Sequence, residues 1–60
     1  MSPLDQAGAY VAAWATFWRG GETVGTPERP AWADAGDQQR ASQAALRIVE
    51  LERSAAAALR

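Results

Sequence analysis

Between Ala7 and Trp18 only Gly8 and Thr16 interrupt an apolar run. Wound into a helix, that run is apolar on every side, which is the pattern of a buried helix and not of a surface one. Yet the chain has only 60 residues, enough for one small domain. A second helix can cover one side of the first, and something else must cover the rest.

On a helical wheel the run divides into three stripes. Leu4, Ala7, Val11, Trp14 and Trp18 form the first, which is expected to face the interior of the fold. Tyr10, Ala13 and Phe17 form a second stripe, and Gly8, Ala12 and Ala15 a third made only of small residues. Exposed patches with this aromatic content usually mark interfaces. Other chains are therefore expected to cover the second stripe. The competing reading is that Trp32 and the loop fold back over one side of the helix.

The first helix has a clean start. Ser2 suits the N-cap, Pro3 the first helical position, and Asp5 the acidic place three residues after the cap. Gly20-Gly21 supplies the stop. A helix over 2–19 is expected. Residues 20–33 hold three glycines and two prolines, which forbid a long regular element. Thr26-Pro27-Glu28-Arg29 could form one helical turn. The segment is long for a helical hairpin, where two to eight residues are usual.

A second helix is expected over 34–59, capped by Asp34 or Asp37. Ala41, Ala44, Ile48, Leu51, Ala55 and Ala58 recur at alternating steps of three and four, a heptad seam. Ala45, Glu52 and Leu59 flank it. Glu52 either reaches out to water or meets an arginine of another chain. Arg40, Gln43, Arg47, Glu50 and Ser54 lie on the opposite side, and the alanine-rich tail favours helix through Arg60.

Several functions are excluded by what the chain lacks. It has no cysteine, histidine or lysine, so the usual nucleophiles and general bases are missing. Structural zinc sites draw mainly on cysteine and histidine, and no disulfide can form. No cofactor is expected. The six arginines stand apart and are balanced by seven acids, leaving no basic face for nucleic acid. The longest uncharged run, Gln6 to Trp18, has 13 residues, short of a membrane span. Arginine as the only basic side chain, with 15 alanines, suggests a GC-rich bacterial or phage gene and a cytoplasmic product.

These observations predict an all-α protein: an antiparallel helical hairpin that assembles with other chains into a multi-helix bundle. The expected function is that of a small non-catalytic interaction module or accessory subunit. Tyr10, Trp14, Phe17, Trp18, Ile48 and Leu51 would form its interface with itself or with a larger protein. The alternative is a small inhibitor or regulator that docks its aromatic helix into a groove on a target.

Overall fold

The computed structural model describes residues 2–59, the side chain of Val24 left aside. Among them the fold is all-α. Helix α1 spans Pro3–Thr16 and helix α2 spans Ala35–Ala58. The two pack against each other as a hairpin of helices. Structure at Met1, and the expected extension of the second helix to Arg60, lie outside the described residues.

Local chemistry sets both starts. The Asp5 N–H donates to the Ser2 hydroxyl at 3.2 Å, and Pro3 takes the position where a missing N–H costs nothing. Asp34 and Asp37 form a reciprocal cap: each backbone N–H donates to the other's carboxylate, at 3.0 and 2.8 Å. Four orphan donors open every helix, and this pair satisfies one and ties down the cap residue itself.

The end of α1 is less regular than expected. Regular helix stops at Thr16, whose hydroxyl donates back to the Ala12 carbonyl at 3.2 Å. The chain then makes one wide π-type turn over Phe17–Gly21. Gly20 closes it with φ +132°, a conformation that side chains resist. A short 3-10 turn follows at Glu22–Val24. The expected turn at Thr26–Arg29 is absent. Pro30 explains why, since a proline drives the residue before it, here Arg29, into extended backbone.

The expected antiparallel sense is corrected by the side-chain pairing. Tyr10 and Val11 share a groove with Ala41 and Ala44. Further along, Arg53 reaches the Trp18 carbonyl, and Arg19 reaches Glu52. Moving up α1 therefore moves up α2, so the helices cross in the same sense. The connection is long because it must return along α1 before α2 can begin. Gly25, Thr26 and Pro27 lie beside Ala13, Thr16 and Phe17, while Glu28, Pro30 and Trp32 lie beside Gln6, Ala9 and Tyr10. Extended backbone advances about 3.3 Å per residue against 1.5 Å in a helix, so a few residues suffice. The Ala33 N–H donates to the Pro30 carbonyl at 3.1 Å, turning the chain into α2.

Tyr10, Trp14 and Ala15 of α1 meet Ala41, Ala45 and Val49 of α2 in the core, with Ala33 from the connection. Val11, Phe17 and Trp18 pack against this cluster. Steps of four on α2 are the ridges used when helices cross at an angle. The alanines there leave room for the large aromatic rings opposite.

The third stripe contributes only Ala15. Gly8 is exposed, and a Cβ built on it meets no atom within 4 Å. Gly8→Ala is therefore expected to stabilise the chain by about 1 kcal/mol and to raise its melting temperature by roughly 4–8 °C. Thermal denaturation followed by circular dichroism checks this. A loss of stability would reveal a neighbour packed against Gly8.

Candidate interaction surface

The aromatic residues are largely used inside the fold. Trp14 is 5% exposed and Tyr10 6%. Trp14 stacks on Trp18 at 6.3 Å between ring centroids and meets Phe17 edge-on at 5.4 Å. Trp32 sets its ring edge-on to Tyr10 at 5.8 Å. Geometries of this kind add about 0.5–1.5 kcal/mol each beyond area burial. The division into an inner stripe with Leu4 and an outer stripe with Tyr10 is thus overturned: Leu4 is exposed and Tyr10 is in the core. Trp32 and the returning connection lie along the side of α1 expected to be covered by other chains, burying Tyr10 and leaving Ala13 exposed.

Polar contacts pin the two helices in register. The Trp18 indole N–H donates to the carbonyl and hydroxyl of Ser42 at 3.1 and 3.3 Å. Arg53 donates to the Trp18 carbonyl at 3.0 Å, satisfying an acceptor left open at the end of α1. Arg19 grips Glu52 with two nitrogens, at 2.9 and 2.8 Å. Glu52 therefore does not simply reach for water, because it closes the hairpin. Two buried polar atoms, the Tyr10 hydroxyl and the Trp14 indole nitrogen, have no partner among the described residues.

The Arg19 hydrogen bonds hold the Glu52 carboxyl below its ordinary pKa. The Asp34 backbone, then Arg40, do the same for Asp37. Carboxylates held low stabilise the fold fully above their unfolded values, and that contribution disappears as pH falls through the folded ones. The melting temperature is therefore expected to be flat from about pH 7 to about pH 5 and to fall below about pH 4. The double variant Glu52→Gln, Asp37→Asn should flatten that acid limb. An unchanged limb would show that neither pair matters in solution.

The heptad seam of α2 lies largely outside the core. Of its members only Ala41 is buried. Ile48 is 41% and Leu51 58% exposed, and Ala44, Ala55 and Ala58 are exposed too. From Ala44, which borders the groove against α1, they run as an apolar strip along the exposed side of α2. Arg47, Glu50 and Ser54 border it around Leu51 in a shallow groove. Of the six residues expected at an interface, Tyr10 and Trp14 are inside the core, Phe17 and Trp18 are half-buried against it, and Ile48 and Leu51 face out. The useful signal was in the sequence: Ala41, Ala45 and Val49 offer a step-of-four stripe small enough to receive tryptophans.

No helix among the described residues is long and apolar enough to cross a membrane. Comparison with protein-family models, curated proteins and solved structures finds no match for this chain.

Proposed function

We propose that this chain is a small non-catalytic interaction module that presents the outer face of α2 to another protein chain. The observation that carries the reading is the exposure of Ile48 and Leu51 on a helix whose inner face is already filled. Adjacent exposed aliphatic residues in line along one helix make a docking stripe. The aromatic helix then builds the scaffold and holds α2 in place. Burial of Tyr10 and Trp14 counts against docking through that helix, because insertion into a groove would require the core to open. A cytoplasmic accessory subunit is the corresponding role.

Leu51→Glu tests the proposal. Leu51 touches little within the chain, so helicity should stay within the range of an ordinary surface substitution, about 0.5 kcal/mol. Immobilised parent chain should retain a protein from its native host, its own copies included, that the variant does not retain. Identical retention by both would overturn the reading.

A further inference from the structure

We infer that the partner on this strip is a second copy of the chain, with the two α2 helices parallel and in register about a two-fold axis. The inference rests on the reading of the outer face of α2 as an interaction surface, and it names the occupant.

The first argument is the packing pattern. One helix carries two stripes of different period. Ala41, Ala45 and Val49, at steps of four, receive α1 at an angle. Ala44, Ile48, Leu51, Ala55 and Ala58 alternate four and three, the repeat that keeps a seam facing one long, nearly aligned helix. α1 supplies no such partner, because its regular helix stops at Thr16. α2 itself runs for 24 residues. In heptad terms Ile48 holds the first core position and Leu51 the second, and β-branched followed by leucine favours two parallel strands.

The second argument is charge. In that heptad Arg47 is the flanking residue before Ile48, and Glu52 the one after Leu51. Parallel in-register pairing sets the first kind of flank against the second kind five residues further along the other helix. Arg47 of each copy then meets Glu52 of the other, twice by symmetry. Among the described residues Arg47 has no ion-pair partner. Glu52 accepts one bond from Arg19 on each oxygen, its side chain is half exposed, and it has acceptor capacity left. Antiparallel pairing would instead set Arg47 opposite Ser54 and Glu52 opposite Ala45, with no ion pair in either place.

The third argument is area. The chain exposes 4455 Å², whereas a folded monomer of its mass exposes roughly 3,800 Å². The excess, about 650 Å², approaches the 800 Å² or so that each partner gives to a standard interface.

Sedimentation of the full chain from about 10 µM to about 1 mM covers the range such an interface requires. The parent is expected to pass from monomer to dimer. Leu51→Glu should stay monomeric with parental helicity, and Arg47→Glu should weaken association by about tenfold. Because the chain has no cysteine, register can be read by cross-linking. Ala55→Cys should oxidise to a covalent dimer, and Ala57→Cys, on the far side of the helix, should not.

A parent that stays monomeric throughout, a dimer that survives Leu51→Glu, or equal cross-linking at both positions would each overturn the inference. A monomeric parent whose host protein is lost in Leu51→Glu overturns the second copy alone and leaves the interaction module standing. Indifference to Leu51 in both experiments removes both.

Discussion

Truncating Trp14 to alanine is expected to unfold the chain. The indole is 5% exposed and sits where the core residues of α1 meet those of α2, stacked on Trp18 and edge-on to Phe17. Losing a buried tryptophan costs about 3–5 kcal/mol in transfer and cavity terms together. A chain of this length holds only roughly 3–9 kcal/mol of net stability. The cooperative thermal transition should vanish or fall by tens of degrees. Trp14→Phe separates volume from polarity. The Trp14 indole nitrogen has no hydrogen-bond partner among the described residues, so phenylalanine keeps most of the packing and sacrifices no bond found there. It should cost far less than alanine. If both variants melt like the parent, Trp14 is not in a core and the described packing is wrong.

The second large effect follows from the direction of the helices. Deleting Thr26–Pro30 should abolish the fold. Before the deleted stretch the connection lies beside Phe17, and after it beside Tyr10. Those two α1 positions are about 10 Å apart along the helix axis. Without the five residues a single Cα–Cα step of about 3.8 Å would have to cover that distance. An antiparallel hairpin would respond in the opposite way, since its helix ends lie close together and a shorter connection costs less entropy to close. Circular dichroism and thermal melting of the deletion variant distinguish the two. Retained stability would contradict the same-sense pairing.

What could be read from the sequence is what local chemistry decides. Ser2, Pro3 and the Asp34–Asp37 pair mark helix starts through contacts spanning three residues, and Gly20 marks a stop through its own backbone freedom. The direction of pairing depends on a segment with no regular period. Pro27 and Pro30 disclose that it is extended, but not which way it runs. The core face of α2 likewise depends on what packs against it. Leu46, Ile48 and Leu51 are the largest aliphatic residues of α2, yet none of them belongs to the core. The rings of Trp14 and Trp18 instead need small residues opposite, and Ala41 and Ala45 provide them. Size complementarity across two helices outweighed the strength of a single stripe.

The helices cross in the same sense with the aromatic residues between them, leaving the Ile48–Leu51 side of α2 uncovered. Nuclear Overhauser contacts in solution test it most directly. Cross-peaks are expected from the Trp18 indole N–H to Ser42, from the Tyr10 ring to Ala41 and Trp32, and from Arg19 to Glu52. Cross-peaks from Leu4 and Ala7 to Leu51 and Ala55, together with Trp18 to Ala35, would belong to an antiparallel hairpin and would contradict it.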